Sequence, residues 1–150
     1  MESFEIVNLK DELRKNIIDS EYLNQIFKLL SYLTYAPTIY YIDFINIIKK
    51  LPINHNIYLY KCSNKIVGMI TLLIENKLIH GGKCIGHIED LVVDPEYRSK
   101  RIARKLLDYV INICKQENCY KVIINCNESM IGFYNKNNFI KDAINMRYNL

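Results

Sequence analysis

The segment Arg98-Ser-Lys-Arg-Ile-Ala-Arg-Lys105 carries five cations in eight residues, shortly after the run Glu89-Asp-Leu-Val-Val-Asp94. Helical spacing begins at Ile102, so the cations fall at a helix start, where N–H groups lack partners and the macrodipole is already positive. Cations there are unfavourable unless an anion joins them. A pyrophosphate would be held by the free N–H groups and the side-chain cations together. A solvated helix face, softened by Asp94 and Glu96, uses the same residues, and charge alone leaves both readings open. Glu89 and Asp90, as neighbours on a strand, are expected to point to opposite faces, so only one carboxylate turns toward a given site. In so apolar a run a solvated strand end is not the expected setting. His55, His80 and His87 have no partners at ligand spacing, and the five cysteines (Cys62, Cys84, Cys114, Cys119, Cys126) contain no C-x-x-C pair. No metal is expected, and the thiols are expected to be reduced.

The elements that must position these residues follow from periodicity. Tyr22, Ile26, Leu29, Leu30 and Leu33 recur at helical spacing over 22–33, with Asp19 or Ser20 as the cap. A second short helix is predicted over 43–50, stopped by Pro52. Residues 57–62 and 66–75 predict a β-hairpin about the turn 63–65, and 85–93 adds a third strand after the turn His80-Gly-Gly-Lys83. Ala103, Leu106, Leu107, Val110 and Cys114 line one face of a helix over 102–114. The strand predicted over 120–126 would lie parallel to its predecessor, because a helix makes the crossover. A short helix over 129–137 and a last strand over 143–148 complete the order αα-βββ-α-β-α-β. This describes an α/β (α+β mixed) fold, a mixed sheet with helices on both sides.

At 150 residues, half of them hydrophobic, one domain spanning 1–150 is expected. The formal net charge of +4 comes without a long basic tail, and the basic segment lacks the interleaved aromatics of a nucleic-acid interface, so no nucleic-acid partner is expected. No apolar run approaches the roughly 18–20 residues of a membrane span. No sorting signal is visible, and a cytoplasmic location is expected.

The pattern R-x-x-x-x-A from Arg98 to Ala103 resembles the R/Q-x-x-G-x-G/A motif of the GNAT acetyltransferases, and the element order is similar to theirs. The runs Gly86-His-Ile-Glu-Asp-Leu-Val-Val93, Asn118-Cys-Tyr-Lys-Val-Ile123, Gly132-Phe-Tyr-Asn-Lys-Asn-Asn-Phe139 and Leu30-Ser-Tyr-Leu-Thr34 resemble the glucosamine 6-phosphate N-acetyltransferases of that family. The resemblance implies direct transfer of acetyl from acetyl-CoA to the 2-amino group of D-glucosamine 6-phosphate in a ternary complex. It also implies a homodimer with substrate sites near the interface.

Site residues carry over from the matched positions. Tyr134 is implied to protonate the departing CoA thiolate, although a Phe133-Tyr134 pair can also be plain core. Asn125 and Glu89 are implied to serve the reacting amine, Asn125 by orienting it. The CoA set is Leu91, Val92 and Val93, pairing by backbone with the pantetheine arm, then Arg98, Ser99, Lys100, Arg101, Ile102, Ala103 and Arg104, with Asn125, Cys126, Asn127 and Tyr134. The sugar-phosphate set is Thr34 from the first helix, Lys77, Leu78, Ile79, His80, Glu89, Asp90, Leu91, Tyr120, Lys121 and Arg147; Lys77 and His80 can equally be ordinary hairpin residues.

This chain departs from the pattern at three places. Arg101 and Ala103 stand where the motif has glycines, Asn125 stands where an acidic residue is expected, and Asn149 stands where an arginine would reach the partner's substrate. Arg147, two residues before Asn149 on the same strand face, is expected to substitute. A related enzyme acting on another small amine or a protein amine remains the nearest alternative. A CoA-binding module with weak catalysis is kept open by Asn125.

Overall fold

The computed structural model describes residues 3–150. Its centre is a five-stranded sheet in the order β1-β2-β3-β4-β5: β1 (Phe4–Asn8), β2 (His55–Cys62), β3 (Lys65–Asn76), β4 (Cys84–Val93) and β5 (Cys119–Ile124). The first four strands pair antiparallel, and β5 joins β4 parallel, as the helical crossover requires. On one face lie α1 (Leu9–Arg14), α2 (Ser20–Ser31) and α3 (Tyr41–Lys50). On the other lie α4 (Ile102–Gln116) and α5 (Ile131–Lys136).

Sequence chemistry accounts for these elements. Asp19 caps α2 by accepting from Tyr22 N–H at 2.8 Å, and α2 turns Tyr22, Leu23, Ile26 and Leu29 onto the sheet. Helix α4 is fully amphipathic: Leu106, Leu107 and Val110 are 0% exposed, each burial favouring the fold by about 1.5–3 kcal/mol. That helix lies very close to the sheet. A Cβ on Gly68 would sit 2.9 Å from Ile102 Cγ2, and one on Gly86 would sit 2.4 Å from Cys114 Sγ.

Several expectations are corrected. Strand β1 and helix α1 escaped the sequence reading because five and six residues are too short for a periodic signal; Asn8 accepting from Lys10 N–H at 2.9 Å is the cue that marks the junction. The anticipated last strand over 143–148 does not form. Ile144, Met146 and Tyr148 alternate as in a strand, yet all are 87–90% exposed, because the chain offers them no surface to bury against. Arg147 therefore has no strand face to share with Asn149. Strand β5 ends at Ile124 rather than at residue 126.

The strand carrying Glu89 and Asp90 is not regular. Met69 pairs with Val92 and Thr71 with Glu89, so two steps on β3 match three on β4. The extra residue makes a β-bulge, with Asp90 at φ 51°. Simple alternation of the two carboxylates fails there, and both are exposed rather than enclosed.

Candidate active site

The bulge matters because of what β5 does beside it. Pairing between β4 and β5 runs from Cys84↔Cys119 to Ile88↔Ile124 and stops there. Beyond Ile88 strand β4 continues alone on that side, so the backbone groups of residues 89–93 face a gap instead of a neighbouring strand. Asn125 leaves β5 at the mouth of this gap, followed by Cys126 and Asn127, all three exposed. An extended ligand chain entering the gap meets the backbone of β4 as an added strand would.

The gap leads toward the start of α4. Asp94 is 4% exposed and caps the turn Pro95–Lys100 by accepting from Glu96 N–H at 3.0 Å, while Lys65 Nζ approaches its carboxylate at 3.1 Å. Arg101 then takes φ 59° and ψ 25°, the left-handed conformation for which glycine is the usual residue. This is why an Arg can stand at the first glycine position of the motif: the backbone takes the glycine-type turn, and the side chain is turned out into solvent. No side chain caps α4, and its first backbone bond is Lys105 N–H to Arg101 C=O at 3.1 Å. The N–H groups of Ile102, Ala103 and Arg104 are therefore available to an anion.

The five cations are not equivalent. Arg104 pairs with Asp108 at 3.0 Å, Lys105 donates to the Tyr60 hydroxyl at 3.0 Å, Arg98 reaches the Val93 carbonyl at 3.5 Å, and Lys100 lies 4.7 Å over the Tyr97 ring. Arg101 has no ion-pair partner among the described residues. Ser99 and Lys100 complete the exposed rim of this cradle.

Tyr134 is 8% exposed, its ring held between Phe133 at 5.0 Å and Phe139 at 5.7 Å. Burial, aided by the nearby Cys126 thiol, pushes its phenol up to about 12. The residue is thus both core and protonated at neutral pH, so the two readings of the Phe133-Tyr134 pair are compatible. The same interaction puts Cys126 and Tyr134, which the sequence groups together, within electrostatic reach of each other.

The remaining residues surround the beginning of β4 and β5. Glu75 is bracketed by Lys77 Nζ and by His87 Nε2 at 2.8 Å, and these two hydrogen bonds hold its carboxyl below the ordinary value. The His80 and Tyr120 rings lie 4.1 Å apart at 31°, which links the turn before β4 to β5. Lys121 pairs with Asp142 at 3.0 Å. Leu78 and Ile79 are exposed, at 101% and 59%.

Two residues grouped with the sugar-phosphate set are placed differently. Thr34 lies beyond the end of α2, where its N–H bonds to Leu30 C=O at 3.1 Å, and Arg147 is exposed outside any element. The Glu75–His87 pair was missed, because only the register between β3 and β4 brings the two side chains together. No group of three or more His, Cys, Asp or Glu among the described residues is placed to hold a metal ion, and no described helix is long and apolar enough to cross a membrane.

Comparison with known proteins agrees with this geometry. The profile of the Acetyltransferase (GNAT) family matches residues 22–139. A glucosamine 6-phosphate N-acetyltransferase of Trypanosoma brucei brucei is 32% identical over 142 residues, covering 93% of this chain and 97% of that one. One from Candida albicans is 30% identical over 131 residues, covering 85% and 88%. Among solved structures, a Trypanosoma brucei acetyltransferase superposes with a TM-score of 0.84 at 29% identity, covering 99% of this chain and 100% of that one. The glucosamine-6-phosphate N-acetyltransferase of Arabidopsis thaliana gives 0.83 at 27% identity, with 98% of each chain covered.

Proposed function

The chain belongs to the GNAT acetyltransferase family, and from that premise we propose that it acetylates the 2-amino group of D-glucosamine 6-phosphate with acetyl-CoA, releasing CoA. The observation that carries the proposal is the open edge of β4 beyond Ile88, running from the Asp90 bulge toward the uncapped start of α4. This edge suits a linear arm ending in a pyrophosphate: the pantetheine pairs with the backbone of residues 91–93, and the phosphates meet the amides of Ile102, Ala103 and Arg104 with the Arg98 and Arg101 guanidiniums beside them.

In the ternary complex the amine approaches the thioester where β4 and β5 part. Proximity and alignment lower the barrier, since both reactants are held rather than made to meet. Tyr134, protonated at neutral pH as any phenol is, donates to the departing thiolate as negative charge develops on the sulfur. Asn125 accepts a hydrogen bond from the amine through its amide oxygen but takes no proton. Lys77, His80, Tyr120 and Lys121 receive the sugar phosphate, with phosphate displacing Glu75 and Asp142 from the two lysines. The active species is a homodimer of single-domain subunits in which the partner's C-terminal segment, with Arg147, completes the acceptor pocket.

The test is thiol release from acetyl-CoA with glucosamine 6-phosphate, unphosphorylated glucosamine and a polyamine. The sugar phosphate should be strongly preferred, and Tyr134→Phe should lower kcat by about 10²–10⁴ while leaving acetyl-CoA affinity intact. Equal rates on glucosamine and its 6-phosphate would remove the phosphate-recognition argument.

A further inference from the structure

Amine acetylation requires a neutral amine, and in this chain the position that follows β5 is Asn125, whose amide cannot accept the ammonium proton. A different proton acceptor stands one residue from the place where β4 and β5 part. His87 lies on β4 immediately before Ile88, the last residue paired with β5. It shares a sheet face with Glu89: in the register, His87 lies opposite Leu73 and Glu89 opposite Thr71, adjacent positions on that face of β3. Its side chain is 25% exposed, so it is half-enclosed but accessible, and its Nε2 lies 2.8 Å from Glu75 Oε2. A carboxylate at that distance fixes the tautomer with the proton on Nε2, which leaves Nδ1 as the ring's acceptor.

We propose that the Glu75–His87 pair is the proton acceptor for the acceptor amine, with Glu75 as the positioning residue and His87 Nδ1 as the base. The proposal rests on the acetyltransferase reading and deepens it. An N–H bond of the ammonium breaks and an N–H bond forms at Nδ1, directly or through one water. The freed lone pair attacks the thioester carbon, the C–S bond breaks, and the thiolate takes the Tyr134 phenol proton. The proton shed by the acylated nitrogen restores that phenol, and the imidazolium returns its own to solvent, so one proton leaves per turnover.

Charged groups surround the ring. On this face the charged neighbours are Glu75 and Lys77 from β3 and its end, Glu89 on β4 itself, and Lys121 on β5, next in parity to Ile123, which lies opposite His87. Across Leu73 stands His55, which feels Lys10 and Asp90. Glu75 is the group in contact with the ring, at 2.8 Å from Nε2. Replacing it with glutamine removes the carboxylate that holds the ring in one tautomer and orientation.

The experiment is the pH dependence of kcat/KM for the full chain with glucosamine 6-phosphate, comparing wild type, His87→Gln and Glu75→Gln, with acetyl-CoA affinity measured alongside. His87→Gln should lose about 10²–10³ in kcat/KM through kcat and lose the enzyme's rising limb. Glu75→Gln should lower kcat by about tenfold with acetyl-CoA affinity unchanged, the loss of one orienting charge-assisted hydrogen bond. The amine's own titration cannot respond to either substitution, which separates the two limbs.

A rising limb retained in His87→Gln, or a loss confined to KM in either variant, would overturn the proposal. If His87→Gln fails to bind acetyl-CoA, its fold is impaired, and the kcat of Glu75→Gln decides: a kcat equal to wild type overturns the proposal. If wild type acetylates glucosamine or a polyamine but not the sugar phosphate, the substrate assignment fails, and the same profiles with that amine test the pair. An enzyme that acetylates none of them refutes both.

Discussion

Arg101 concentrates the residue-scale question, because a strained backbone there carries a cation beside the proposed phosphate site. A non-glycine residue at φ 59° costs about 1 kcal/mol, and the side chain stands at the mouth of an anion cradle. Stability and affinity should therefore move in opposite directions when it is removed. Arg101→Gly is expected to hold or raise the melting temperature while weakening acetyl-CoA by about tenfold, the loss of one charge-assisted contact. Calorimetric binding should show affinity for the sugar phosphate unchanged. Glu89 and Asp90 illustrate the limit of residue-scale inference. Both were legible as candidate site residues by type, but their orientation depended on a bulge that only the register between β3 and β4 discloses.

At the scale of elements, the cradle is held in place by how closely α4 approaches the sheet. Gly86 allows that approach, with Cys114 Sγ in the space where a side chain would begin. Gly86→Ala forces α4 outward, an overpacking cost of about 1–3 kcal/mol. For a chain of this size the melting temperature should fall by roughly 2–10 °C. Because α4 carries at its far end the amides proposed to meet the CoA phosphates, acetyl-CoA affinity should fall as well. A melting curve identical to wild type would mean that the helix accommodates the methyl without moving. Helices α2, α3 and α4, the β2–β3 hairpin and the parallel β4–β5 pair were legible in the sequence because each is long enough for its apolar period to repeat. The short β1 and α1 were not. They are held by tertiary contacts, including Glu12, which is 2% exposed and bonded to Tyr22 Oη at 3.2 Å and Lys61 Nζ at 3.4 Å.

At the scale of the whole molecule, the C-terminal residues stand apart from the rest. Ile140, Ile144, Met146, Tyr148 and Leu150 are 86–118% exposed, while β5 forms the edge of the sheet. Apolar side chains in strand alternation beside an open edge are expected to bury themselves in a second subunit. Deleting residues 143–150 should convert the proposed dimer to a monomer in light scattering and abolish sugar-phosphate turnover. Acetyl-CoA binding should survive, because its cradle lies wholly within one chain. The sequence by itself determined the order of elements from α2 to α5, the basic helix start and the family, since these depend on residue type, spacing and local periodicity. Tertiary structure alone decided that β4 parts from β5 after Ile88, that Asp90 bulges, and that Glu75 grips His87. Each of these arises from the pairing of segments distant in the chain, and local periodicity carries no record of register.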